Sequence, residues 1–177
     1  MTITLDTGSV RLGQYKTTQL LDAAEFFALT LMGSRLTPNV TIDIELDPQM
    51  DVGGECVNED CTKRSRWFTI RLKHTKNFYD MLQTLAHEMV HIKQQARNEL
   101  RRYDVPCTRG GKREREEVVE WQGSIWTPAK GEDPYWDAPW EVEAYGREIG
   151  LINRFMQSYR KSPGSITITD EIGELCG

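Results

Sequence analysis

The strongest constraint on this chain is a set of apolar residues that returns every three or four positions from Asn77 to about Tyr103. Phe78, Leu82, Leu85, Met89, Ile92 and Ala96 carry it. That spacing draws one stripe down a helix and does not fit a strand, whose side chains alternate with a period of two. Asn77, at the head of the run, suits an N-cap. A stripe this regular has to be buried, so the rest of the chain must supply a surface to cover it.

Two alternating runs are candidates for that surface. In 39–47, Val40, Ile42, Ile44 and Leu46 share one face; in 66–74, Phe68, Ile70 and Leu72 do. We read them as antiparallel strands joined by a loop at 48–65. Ile3 and Leu5 mark a short strand near the start. Leu20, Ala24, Phe27, Ala28 and Leu31 mark a helix over 17–36, with Gly33 and Pro38 at its end. Residues 105–115 read as irregular and basic, and 117–127 as a strand. Pro139 then opens a last helix, whose apolar stripe runs from Val142 through Tyr145, Ile149, Ile152, Phe155 and Met156 to Tyr159. Ser162-Pro163-Gly164 stops it. A β-like run, 166–169, lies in the remaining tail.

The expected fold class is α+β, with a small, mostly antiparallel sheet packed on the long helix. At 177 residues this is one domain, 1–177, with 165–177 as a flexible tail. The net charge of −5 argues against general binding to nucleic-acid phosphates. The mean hydropathy of −0.56, the lack of any apolar run near 18 residues and the absence of a signal-like start lead us to expect a cytoplasmic protein with no membrane partner.

Three histidines, His74, His87 and His91, are the chain's whole supply of imidazole. Two of them fall in His87-Glu88-Met89-Val90-His91, an H-E-x-x-H run inside the long helix. Positions i and i+4 stand one above the other, so both rings can reach one ion. By helical angle they face away from the Leu85 stripe. Neutral imidazoles bind zinc without cancelling its charge, so the ion still acidifies a water and polarises a carbonyl. Glu88, next in sequence, is placed to take the proton as general base. The plainer alternative is two surface histidines on a charged helix.

The third ligand follows in part from elimination. The extended H-E-x-x-H-x-x-G-x-x-H run of metzincins is excluded, because Gln94 and Arg97 stand at its Gly and His positions. No histidine follows His91, which disfavours a later-histidine site such as that of SprT-like proteases and leaves a carboxylate. On the last helix, Glu141-Val142-Glu143-Ala144 matches the E-x-x-A pattern of gluzincins, zinc peptidases that take a glutamate from a second helix. The chain resembles that class. It also resembles small phage-type metallopeptidases that combine H-E-x-x-H with a later Pro-Trp-Glu-x-Glu-Ala, here 139–144.

The resemblance implies a zincin-like domain in which His87, His91 and Glu141 hold one Zn2+ ion, with Glu143 as the alternative third ligand. The implied reaction is hydrolysis of a protein or peptide substrate. Tyr145, Arg147 and His74 are candidates for stabilising an oxyanion or holding substrate. Four of the five tryptophans, Trp121, Trp126, Trp136 and Trp140, lie between the two motif segments and either wall a cleft or pack a small core. The basic stretch Arg109 to Arg115, with Lys112 and Arg113, gives weak support for a nucleic-acid partner. A structural zinc at Cys56, Cys61 and Cys107, with Cys176 as a fourth, is disfavoured by the loose spacing. A zinc-binding protein without proteolysis is the competing expectation.

Overall fold

A computed structural model describes residues 1–60, 62–109 and 112–161. The alternating runs form strands, as their period requires, but pair differently from the expectation. Strand β1 (Thr2–Asp6) leads through helix α1 (Gln14–Leu36) to β2 (Thr41–Asp47), then β3 (Gly54–Asn58) and β4 (Trp67–Lys73). The sheet order is β1-β2-β4-β3. Strands β1 and β2 are parallel, and so are β2 and β4, in the register Ile42↔Phe68, Ile44↔Ile70 and Leu46↔Leu72.

The antiparallel pairing of 39–47 with 66–74 is therefore corrected, and with it the mostly antiparallel sheet. The reason lies in 48–65, read above as loop. It contains β3, which forms the antiparallel hairpin with β4 and so returns the chain in the direction of β2. Alternation alone could not decide, since apolar residues face apolar residues in either direction.

One face of this sheet is solvated. There Arg71 bridges Glu45 at 3.2 Å and Glu55 at 2.9 Å, and Trp67 donates to Asp43 at 2.7 Å. The other face packs Ile42, Ile44, Phe68, Ile70 and Leu72 against Leu20, Ala24, Phe27 and Ala28 of α1 and against α2 (Phe78–Ala96). Asn77 caps α2 through its side-chain oxygen, which accepts from the Tyr79 N–H at 3.0 Å. The stripe Leu82, Leu85, Met89 and Ile92 is buried.

Helix α2 ends at Ala96, short of the expected Tyr103, because Asn98 takes a left-handed φ of 59° that a helix cannot continue. Strands β5 (Leu100–Arg109) and β6 (Lys112–Trp121) then form a long antiparallel hairpin, with the two-residue β7 (Ser124–Ile125) beside it. Residues 105–115 are thus largely strand. Charged residues on both faces hide the alternation. Helix α3 (Pro139–Lys161) closes the fold against α2, with Ala144, Leu151, Ile152 and Phe155 in the main core. Among the described residues the protein is α+β, with three α-helices and two small sheets. The tail 165–177 and the run 166–169 lie outside the described residues. Among the described residues no helix is long and apolar enough to cross a membrane.

Candidate metal centre

Helices α2 and α3 pack side by side, and the H-E-x-x-H turn of one meets the first turns of the other. There the Nε2 atoms of His87 and His91 lie 3.2 Å apart, and Oε2 of Glu141 lies 3.3 Å from the first and 3.5 Å from the second. For metal–ligand bonds of about 2.0–2.2 Å, the edge of a tetrahedron is about 3.3–3.6 Å. The three atoms form one triangular face of that figure. This His-His-Glu group could hold a metal ion.

Acceptors on the far side of each ring place a proton on each Nδ1, so that in the neutral imidazoles the inward atoms are acceptors. His87 Nδ1 is 2.9 Å from Oε2 of Glu148, an acceptor, so this nitrogen carries the proton. His91 Nδ1 is 2.9 Å from Oε1 of Gln94. The amide nitrogen of Gln94 is occupied elsewhere, donating to the Trp140 carbonyl at 2.9 Å and to Glu143 at 3.1 Å, which fixes its oxygen toward His91. Both Nε2 atoms therefore turn bare lone pairs toward a carboxylate oxygen that is itself buried and accepts no hydrogen bond among the described residues. Three convergent lone pairs repel unless a cation or proton lies between them. The donor set fits a divalent ion.

A proton can take the place between the three lone pairs, because the protonated imidazoles and the Glu141 carboxylate stabilise each other's charge. Burial alone would raise the Glu141 carboxyl, but the imidazoles of His91 and His87 outweigh it and hold the pKa down at about 2. Burial would also lower His87; Glu141, Glu88 and Glu148 reverse this and raise it. Glu88 is pushed the other way from Glu141. Its burial lifts the carboxyl above the usual range, and His91 and His87 pull it only part of the way back. The two carboxyls are thus shifted in opposite directions, Glu141 down and Glu88 up.

Strand β3 sets the far wall. Gly54 approaches α2 so closely that a Cβ there would stand 2.5 Å from Thr84 Cγ2 and 3.2 Å from Oε1 of Glu88. A hollow of about 520 Å³ opens beside His87 and Glu88, walled by Val52, Tyr135, Trp136 and Tyr145. Asp133 accepts the backbone N–H groups of Tyr135 and Trp136 at 2.8 and 2.9 Å, which shapes this wall and lowers the Asp133 carboxyl.

The sequence-predicted residues separate clearly. His87, His91 and Glu141 converge, and Glu88 lines the same cleft. Glu143 points away from the triangle, to Lys93 at 2.7 Å and Arg147 at 2.8 Å. Tyr145 packs against His87 with ring centroids 4.5 Å apart. Arg147 is committed to Glu143, and His74, whose backbone N–H joins the Asp47 carbonyl, is not among the residues lining the cleft. Trp121, Trp126 and Trp140 pack a small second core with Leu100 and Ala138, so only Trp136 of the four lines the 520 Å³ hollow. Cys56 and Cys107 are free thiols on β3 and β5, while Cys61 and Cys176 lie outside the described residues. Of the basic stretch, Lys112, Arg113 and Arg115 lie on β6 opposite Arg109, Thr108 and Pro106, about 20–30 Å along the hairpin from Leu100.

Sequence reasoning missed Glu148, Gln94 and Tyr135. Glu148 had a signal, since it stands seven residues, or two turns, after Glu141 on the same face of α3. Tyr135 had none. Compared with known proteins, the chain matches no family model, no curated protein and no solved structure.

Proposed function

We propose that the protein is a zinc-dependent metallopeptidase of gluzincin type with a zincin-like fold. The observation that carries this reading is the convergence of His87, His91 and a glutamate from a separate helix into a tetrahedral face, with a second, buried carboxylate alongside. Two imidazoles and one carboxylate are a donor set suited to zinc. Bound there, the ion would supply Lewis acidity to a substrate carbonyl and to a water.

The chain's own residues do the rest. Glu88, buried yet open to the cleft, takes a proton from the attacking water and passes it to the leaving amine. Its burial raises its proton affinity above that of an ordinary carboxylate, which favours accepting a proton from water. Tyr145, packed on His87 and reached by the Tyr135 side chain, lines the cleft and is the residue here that would stabilise an oxyanion. Among the described residues β3 pairs with β4 alone, which leaves its other edge as the place where an extended peptide would add.

Elemental analysis of the purified protein beside Glu141→Ala, combined with cleavage of a mixed peptide library, tests the assignment. We expect about one equivalent of zinc and cleavage in the wild type, and neither in the variant. Zinc without cleavage would favour the non-proteolytic zinc-binding alternative, and no bound metal would end both.

A further inference from the structure

The cleft does not stop at the metal centre. The compartment holding His91 and Glu141, about 270 Å³, adjoins another hollow of about 400 Å³, the two sharing Cys56, Gln95, Leu100 and Arg102 as wall. The charged residues lining that hollow are Lys63, Arg101 and Arg102, and no carboxylate is among its described lining residues. On the opposite side of the ligands lies the aromatic hollow of Tyr135, Trp136 and Tyr145. One arm of the cleft is aromatic with carboxylates at Asp80, Glu88 and Glu148, and the other is cationic.

Arg102 sits where the metal compartment and the basic hollow join, in the wall of both. Its guanidinium lies over the Trp140 ring, 5.3 Å from the centroid, and Trp140 immediately precedes Glu141. That stacking holds the group along the cleft wall. Its ion pair with Glu117 is long, 3.5 Å, and both side chains are about half exposed, so the pair is screened and leaves N–H donors for a ligand. Arg101 is instead tied to Glu120 at 2.9 Å and stacked on Tyr103, and contributes field more than contact.

The open strand joins the two arms. Gly54 faces Glu88, Cys56 borders both the metal compartment and the basic hollow, and Asn58 lines the basic hollow. At about 3.3 Å per residue, a peptide lying along β3 reaches the cations about two to four residues from the scissile bond.

We propose that the basic hollow is a subsite for a substrate carboxylate, an acidic side chain or a free C-terminus, and that Arg102 determines specificity there. A guanidinium matches a carboxylate with two parallel N–H donors. The subsite serves the peptidase function proposed above and rests on it.

Fluorescence anisotropy with zinc-loaded Glu88→Gln protein tests this apart from hydrolysis. The probes are labelled decapeptides of one neutral sequence carrying Glu, Gln or Lys two to four residues to either side of the centre. A shortened pair ends at the same position as free acid or amide. We expect Glu over Gln, or acid over amide, by roughly 3- to 10-fold on one side of the centre only. Which pair shows the preference identifies the side chain or the terminus as its source. Arg102→Gln should collapse the ratio toward one. Arg102→Glu should turn it in favour of Lys, a gain that a misfolded protein cannot show.

Equal binding of Glu and Gln peptides and of acid and amide, a preference that survives Arg102→Gln, or no binding of any peptide overturns the subsite. Wild-type cleavage of the same peptides is scored separately. A carboxylate preference without cleavage would remove the peptidase reading and leave the subsite standing; cleavage without a preference would do the reverse.

Discussion

Glu148 accepts the Nδ1 proton of His87 at 2.9 Å from 61 positions away, and this bond decides which nitrogen of the ring faces Glu141. Gln83 donates to the other carboxylate oxygen at 2.6 Å and holds it in place. Loss of an acceptor behind a metal-binding histidine lowers affinity by about 10- to 100-fold. Glu148→Ala should show that loss in competition against a chromophoric chelator. Glu148→Gln, which keeps a carbonyl acceptor, should lose less, and equal losses would contradict the assigned proton position.

Glu141 and Glu143 should behave oppositely under the same titration. Glu141→Gln removes a vertex of the triangle and should abolish tight metal binding. Glu143→Gln should retain binding but loosen the fold, because the Lys93 ammonium is buried between Glu99 and Glu143 at 2.6 and 2.7 Å. Weakening one side of a buried charge cluster typically destabilises by about 1–3 kcal/mol, readable in urea unfolding.

Replacing Glu88 by Gln should leave zinc content unchanged and reduce peptide hydrolysis by at least about 100-fold, the scale of a lost general base. Full activity in that variant would remove Glu88 from the mechanism.

At Gly54 the prediction concerns packing. A methyl group there would stand 2.5 Å from Thr84 Cγ2, and overpacking of this kind costs about 1–3 kcal/mol. Gly54→Ala should therefore destabilise the protein, and adding Thr84→Ser, which deletes the obstructing methyl, should recover part of the loss. A double-mutant cycle in urea measures the coupling.

Protons compete with the ion for the same lone pairs. The raised pKa of His87 stabilises the metal-free fold below about pH 6.5, and this is lost as pH rises through the folded value. The lowered pKa of Glu141 contributes above about pH 4.5 and is lost only as pH falls toward about 2. The metal-free protein thus gains most between those limits, where the ion binds against protonated histidine. The Tm difference between zinc-loaded and chelator-treated protein should widen from about pH 5.5 to about pH 8, by differential scanning calorimetry. A constant difference would contradict the competition.

What the sequence disclosed was whatever is written locally. The stripe of α2 and the spacing of His87 and His91 are properties of one helix, and the structure keeps both. Glu141 was reachable because a short pattern marks the start of α3. The direction of β4 was not legible, since Ile42, Ile44 and Leu46 meet Phe68, Ile70 and Leu72 equally well in either orientation, and the deciding strand, β3, is five residues with only Cys56 and Val57 as apolar members. The end of α2 was misjudged because Asn98 turns the chain without glycine. Tyr135 owes its place to the turn built on Asp133, which leaves no periodic trace.

Met89 and Val90, the residues between the two ligand positions, are fully buried, as are Leu85 and Ala86 before them, so the helix that carries both imidazoles is fixed by the core itself. The conformational entropy of ordering these ligands is therefore lost when the chain folds, not when an ion arrives. Where the imidazoles are neutral, folding also drives three electron-rich atoms together against their mutual repulsion, leaving a locally frustrated point. A cation relieves that conflict with little rearrangement of the backbone around it, and ions whose preferred geometry departs from a tetrahedron meet a frame with little freedom to adapt.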